Sequence, residues 1–100
     1  MSRPLSYRIA SEAREDLAGI WLYVFDNSGS ERADGVLAKL REAMDLIGEE
    51  PEAGHLREDL TQRPVRFWSV FRYLIVYNPA SKPVEVLRVF HGAMDIESRL

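Results

Sequence analysis

Two short apolar runs in the second half of the chain decide the fold: YLIVY at Tyr73–Tyr77 and VEVLRVFH at Val84–His91. Both are rich in β-branched and aromatic side chains, and between them lie Pro79, Ser81 and Pro83, residue types that typically bound strands. The pattern predicts a β-hairpin. Neither run alternates strictly between apolar and polar residues, so we expect both faces of this hairpin to be covered.

Successive side chains of a strand point in opposite directions, so the hairpin sequence also predicts two faces. A regular second strand places Arg88 on the same face as Val86 and Phe90, where a charge lies among apolar neighbours. Two interpretations stay open: the guanidinium pairs with a carboxylate or reaches the rim of the sheet, or it belongs to a surface used on a target. The predicted sets are Leu74 and Val76 opposite Tyr73, Ile75 and Tyr77, and Val84, Val86, Arg88 and Phe90 opposite Glu85, Leu87, Val89 and His91.

Length and composition indicate a single soluble, cytoplasmic domain over residues 1–100. One hundred residues suit one core, 46% of them are hydrophobic, and no apolar run reaches the roughly 18 residues of a membrane span. Met1–Ser11 lacks the apolar segment of a signal peptide. The chain has no cysteine and only two histidines, His55 and His91, so neither a metal site nor a cofactor is expected.

Charge is unevenly distributed along the chain, although the net charge is only −3. Residues 1–54 carry six basic and eleven acidic side chains, and residues 55–100 carry seven and five, so the two parts differ in sign at −5 and +2. Proteins that bind nucleic acid directly usually carry a strongly basic patch. This balance argues against direct sequence-specific recognition of DNA or RNA.

The first half of the chain predicts a short strand followed by two helices. Leu5–Ile9 alternates apolar and polar residues, which fits a strand that joins the sheet of the hairpin. Helix 1 should have Ser11 as its N-cap and run to about Asp26. Helix 2 should have Ser30 as its N-cap and end at Gly48, which gives an αα-hairpin.

Helix 1 has an apolar sector wider than one packing contact requires. At 100° per residue the sector spans about 200°, against roughly 100° for a helix packed on one side. Ala18, Leu22 and Phe25 widen it along one flank. Either the helix lies between the sheet and helix 2, or part of this flank awaits a partner chain. The residues predicted on the opposite, polar side are Glu12, Glu15, Asp16, Gly19, Tyr23 and Asp26.

The remaining segments predict a loop, one more strand and a C-terminal turn. Glu49–Pro64 is polar and contains proline and glycine, which is typical of a loop, and Val65–Val70 has the composition of a strand. The link through Phe71 and Arg72 lacks the glycine or asparagine of a tight turn, so a bulge or one long bent strand is the alternative. The elements predict an α+β fold: an N-terminal strand, an αα-hairpin on one face of a mainly antiparallel sheet ending in a three-strand meander, and a short helical turn over residues 93–100.

Four segments, in their order and spacing, carry a family resemblance: Ala13–Trp21, Glu50–Gly54, Tyr73–Tyr77 and Val86–Asp95. They resemble the ParE branch of the ParE/RelE toxin superfamily, over almost the whole chain. The resemblance implies the RelE-like fold and a toxin of a type II toxin–antitoxin system, neutralised by a ParD-like antitoxin. In this superfamily ParE members act on DNA gyrase, whereas RelE members cut mRNA in the ribosome.

One position favours the ParE branch, and with it a non-enzymatic gyrase inhibitor without catalytic residues. RelE-like nucleases carry an arginine in the strand equivalent to Tyr73–Tyr77, and Leu74 stands in its place. The alternative is a ribosome-dependent mRNA endonuclease in which Arg72 or Arg88 stabilises phosphate charge and His91 acts as general acid.

The C-terminal segment departs from the family pattern. ParE-type relatives often carry an arginine just after the histidine, where this chain has Ala93 and Met94. This departure makes an inactive relative, kept as an interaction module, the third hypothesis.

Two sets of residues are predicted to bind proteins. An antitoxin should cover the apolar flank of helix 1 and one face of the hairpin, because one helix pair covers only the other face and exposed apolar area marks interfaces. Nearby arginines should pair with acidic residues of its tail. The resemblance places target binding at the end of the last strand. The sets are Ala18, Leu22, Phe25, Arg72 and Arg88 for the antitoxin, and Arg88, His91, Met94 and Asp95 for the target.

Overall fold

The computed structural model describes residues 5–91, which form two helices and a four-stranded sheet. The elements are β1 (Tyr7–Ile9), α1 (Ser11–Ser28), α2 (Ser30–Glu49), β2 (Arg66–Val70), β3 (Tyr73–Asn78) and β4 (Val84–His91). The strand order is β1-β4-β3-β2. β1 pairs in parallel with β4, and β2, β3 and β4 form an antiparallel meander. The predicted α+β architecture is confirmed for these residues, and the predicted C-terminal turn lies outside them.

Both helices begin without the side-chain caps that the sequence predicts. Ala10 is the N-cap of α1 and Ser11 is already helical. Gly29 is both the C-cap of α1 and the N-cap of α2, so Ser30 is also inside its helix and both cap predictions are wrong. Gly29 has a φ of 88°, which glycine adopts without the steric cost of a Cβ atom. The chain therefore reverses at one residue, and α1 continues to Ser28.

The two helices pack on one face of the sheet and bury a continuous apolar core. α1 contacts both α2 and β4, so the prediction that it lies between a helix and the sheet is confirmed. Trp21 Nε1 of α1 donates a hydrogen bond to Asp34 Oδ1 of α2 at 2.9 Å. The buried members of this core are Tyr7, Ala13, Ile20, Val24, Ala33, Leu40, Ala43, Met44, Ile47, Tyr73, Ile75, Tyr77, Val84, Val86 and Val89.

A β-bulge interrupts the pairing of β3 with β4. Val76 pairs with Arg88, but the next residue of β3, Tyr77, pairs with Val86. Leu87 is therefore an extra residue on β4, which is the defining feature of a bulge.

The bulge changes which side chains of β4 share a face. Val86 and Val89 both lie in the core beneath the helices, whereas Phe90 belongs to a cluster on the other face. The predicted grouping of Val86 with Arg88 and Phe90 is wrong, because a shift of one residue moves every following side chain to the opposite face.

The second face of the sheet is also buried, by a smaller apolar cluster. The loop between α2 and β2 contributes Leu60 and Val65 to it. The prediction that this face of the hairpin stays open for a partner is therefore wrong, because Leu74, Val76 and Phe90 are buried within the chain. The cluster consists of Val65, Phe67, Leu74, Val76 and Phe90, with Leu60 and Leu87 packed against it.

The phenol of Tyr77 links the loop between α2 and β2 to the sheet by hydrogen bonds. Gly54 N donates a hydrogen bond to Tyr77 Oη at 2.9 Å, and Tyr77 Oη donates to Pro51 O at 2.6 Å. Arg66 Nη1 donates to Gly54 O at 2.7 Å. These bonds give the segment Glu50–Gly54 a structural role.

Replacing Tyr77 by Phe should lower the free energy of unfolding by about 1–2 kcal/mol, because a buried backbone N–H at Gly54 and a part-buried carbonyl at Pro51 lose their partner. Burial raises the pKa of Tyr77 above its ordinary value, although the hydrogen bond from Gly54 opposes the shift. Because the folded pKa exceeds the unfolded one, the tyrosine's contribution is complete below about pH 10 and is lost as the pH rises through the folded pKa. Urea denaturation at neutral and alkaline pH should show a smaller alkaline loss for Tyr77→Phe than for the parent. An equal loss would contradict the assignment.

Candidate protein-binding surfaces

One flank of α1 exposes an apolar strip. Leu22 is 55% exposed and Phe25 43% exposed, and Ala18 is exposed as well. The three side chains lie within about 60° of one another around the helix axis. Phe25 stacks on Trp21 with ring centroids 5.0 Å apart and planes inclined by 11°. α1 therefore has two neighbours within the chain and still leaves an apolar strip, which we call the α1 strip (Ala18, Leu22 and Phe25).

Carboxylates of α1 hold the guanidinium of Arg88. Its Nε and Nη2 atoms donate to Asp16 Oδ2 and Oδ1 at 2.8 and 3.0 Å, and Nη1 donates to Glu12 Oε2 at 3.4 Å. The hydrogen bond with Asp16 is the main cause that raises the pKa of Arg88. The guanidinium carbon also lies 4.8 Å from the centre of the Phe90 ring. The first interpretation of Arg88, pairing with a carboxylate, is confirmed.

Asp16 also binds a backbone N–H at the edge of β4, beyond the point where the pairing with β1 ends. β1 pairs with β4 only as far as Val86, and beyond it Asp16 Oδ2 accepts a hydrogen bond from Val89 N at 2.9 Å. The helical pattern of the sequence predicts Asp16 on the polar side of α1, without this role. Four helical residues turn through about 400°, so Asp16 lies only about 40° from the buried Ile20. This position at the boundary of the buried stripe is the feature of the sequence that could have indicated the role of Asp16.

Arg72 and His91 line a groove of about 860 Å³ between the helix pair and the β2–β3 turn. The ring of His91 packs against Tyr23 of α1 and Tyr73 of β3, with centroid distances of 6.3 and 5.7 Å. We call this surface the Phe71 groove. The lining residues used below are Tyr23, Glu31, Arg32, Lys39, Phe71 and Arg72.

The β2–β3 turn places Phe71 at the mouth of this groove. Val70 pairs directly with Tyr73, so the two strands form a two-residue hairpin, and the predicted alternatives of a bulge or one bent strand are wrong. Phe71 has a φ of 55°, a conformation that glycine and asparagine adopt more readily than an aromatic residue. Its side chain is 82% exposed, and Lys39 Nζ lies 6.0 Å from the ring centre.

The three residues of the nuclease alternative do not converge on one site. Arg72 and His91 line the groove, whereas Arg88 is bound to Asp16. Residues 5–91 contain no group of three or more histidine or acidic side chains able to hold a metal ion. Met94 and Asp95, the other predicted target contacts, lie outside the described residues.

Within residues 5–91, neither helix has the length and apolar character needed to cross a bilayer.

The fold is that of a small α+β domain, and comparison with known proteins gives its family. The family model described as "ParE toxin of type II toxin-antitoxin system, parDE" matches residues 7–96. The chain belongs to the ParE toxin family of type II toxin–antitoxin systems, as the sequence resemblance predicted.

Individual relatives agree with this assignment. Two proteins named Toxin ParE1, from Mycobacterium tuberculosis strains CDC 1551 / Oshkosh and ATCC 25618 / H37Rv, are 27% identical over 96 residues, which cover 94% of this chain and 96% of each relative. The solved structure titled "Chromosomal ParDE TA system from P. aeruginosa" has the same fold, with a TM-score of 0.72 and 19% identity. That match covers 87% of this chain and 95% of the other.

Proposed function

We propose that this protein is a cytoplasmic toxin that inhibits DNA gyrase by binding it, and that a ParD-like antitoxin neutralises it. Membership of the ParE family carries the proposal, since the matched family is described as the toxin of the parDE system. The relatives named ParE1 and ParDE support the same reading.

Two structural features support inhibition by contact over RNA cleavage. Leu74, which stands where RelE-like nucleases carry an arginine, is buried in the second apolar cluster. Asp16 and Glu12 already neutralise Arg88, so this guanidinium is poorly placed to stabilise a phosphorane. Of the three residues predicted for a nuclease, Arg72 and His91 then remain.

The α1 strip supports antitoxin binding. Large apolar side chains exposed side by side are typical of protein interfaces, and an antitoxin tail that folds on binding is suited to cover such a strip. Of the two arginines in the predicted antitoxin set, Arg72 is exposed, whereas Arg88 has its charge satisfied within the chain. Within the predicted antitoxin set, the α1 strip and Arg72 therefore support antitoxin binding.

A supercoiling assay with purified DNA gyrase tests the proposal. Added protein should inhibit supercoiling or trap cleaved DNA, and because it acts by binding, inhibition should be stoichiometric with gyrase. Purified antitoxin should reverse the effect. The same preparation in a ribosome-dependent mRNA cleavage assay is the matched control. No effect on gyrase at micromolar excess would contradict the proposal, and mRNA cleavage would favour the nuclease alternative.

A further inference from the structure

We propose that the Phe71 groove binds an extended acidic segment of the antitoxin, with an apolar side chain of that segment seated against the Phe71 ring. The inference rests on the proposed function and adds a second contact surface with its own chemistry. Tyr23 lies about 100° from Leu22 around the axis of α1. The groove and the α1 strip are therefore separate surfaces.

The groove has a charge opposite to that of the whole chain. Its lining includes three cations, Arg32, Lys39 and Arg72, and one acidic residue, Glu31, whereas the chain carries a net charge of −3. Within residues 5–91, none of these cations takes part in an ion pair. Cations around a concave surface attract carboxylates and fix the register of a bound segment.

Phe71 is an unfavourable residue for this turn if only folding matters. Its positive φ is less favourable for an aromatic residue than for glycine or asparagine. Because the side chain is 82% exposed, almost no burial compensates for that conformation, and the cation–π contact with Lys39 is exposed and weak. A strained residue that also exposes a large apolar ring points to contact with a partner.

The same observations favour a peptide over a nucleic acid. A nucleic acid would extend beyond the groove, where the net negative charge of the chain would repel it. A short acidic segment carries few charges and can place them beside the three cations. The concave shape suits an extended segment, because its side chains can enter from one edge while its backbone follows the groove.

Binding of overlapping labelled peptides, which tile the product of the adjacent reading frame, tests the inference by fluorescence anisotropy. An acidic peptide should bind the parent, and Phe71→Asn and Arg72→Glu should each weaken it about tenfold. The control Arg63→Glu makes the same charge change at an exposed position outside the groove lining and should have little effect. Phe71→Asn should also raise Tm, because asparagine accepts the positive φ. Weaker binding by a more stable protein is a result that a merely structural role would not give.

Three other outcomes would overturn the inference. If peptide binding survives both groove substitutions but is lost in Leu22→Ser, the antitoxin uses only the α1 strip, and the proposed function stands without the groove. If the groove variants bind antitoxin normally but no longer inhibit gyrase, the groove contacts the target. If no peptide binds the parent, the groove proposal fails together with the antitoxin part of the proposed function.

Discussion

Replacing Asp16 by Ala is expected to lower the free energy of unfolding by about 2–3 kcal/mol. The substitution removes both hydrogen bonds of the Arg88 guanidinium to this carboxylate and leaves Val89 N without its acceptor. The side chains of Arg88 and Asp16 are 19% and 15% exposed, so residual solvation keeps the loss below the roughly 3–5 kcal/mol of a fully buried pair. Urea denaturation measures it.

Glu12→Ala is the matched control for Asp16→Ala. Glu12 contacts the same guanidinium at 3.4 Å but is 72% exposed, and solvent screens such pairs, so its removal should cost less than about 0.5 kcal/mol. In an Arg88→Met background the effect of Asp16→Ala should shrink, because the carboxylate then has only Val89 N to bind. Equal effects of the two carboxylate substitutions in the parent would contradict the role given to Asp16.

Gly54→Ala should destabilise the protein by about 2–3 kcal/mol, because the site has no space for a methyl group. A Cβ atom there would lie 2.5 Å from Tyr77 Oη and 2.9 Å from Phe67 O. Tyr77 is fully buried and the Phe67 carbonyl accepts a hydrogen bond from His55 N, so neither atom can withdraw cheaply. Thermal and urea denaturation measure the loss.

Gly19→Ala is the control for Gly54→Ala, and its expected effect on stability has the opposite sign. Gly19 lies within α1, and a Cβ atom added there meets nothing within 4 Å. Alanine is the better helix former, so this variant should be more stable by about 0.5–1 kcal/mol. If both glycine substitutions changed stability by the same amount, steric exclusion at Gly54 would not be the cause.

The sequence predicted the order of the elements well because helix and strand periodicities are local. The wide apolar sector of α1 predicted that this helix has two neighbours. The apolar run Tyr73–Tyr77 predicted a strand buried on both faces. The bulge at Leu87 was missed because it is defined by the pairing of β4 with β3, which no local pattern records. The turn at Phe71 was left open to a bulge or a bent strand for a different reason, since its residue type contradicts the usual turn chemistry.

The candidate surfaces were harder to predict because they join residues distant in the sequence. The α1 strip was found, since Ala18, Leu22 and Phe25 share one helix and one periodicity. The Phe71 groove combines side chains of α1, α2, the β2–β3 turn and β4. Only the packing of the helix pair over the sheet brings them together.

Gyrase inhibition as the primary event is tested most directly by following the DNA-damage response and protein synthesis in the same culture after induction. We expect the damage response to begin while protein synthesis continues, and co-expression of the neighbouring reading frame to suppress it. Immediate arrest of protein synthesis, with cleaved mRNA and no early damage response, would contradict gyrase as the target.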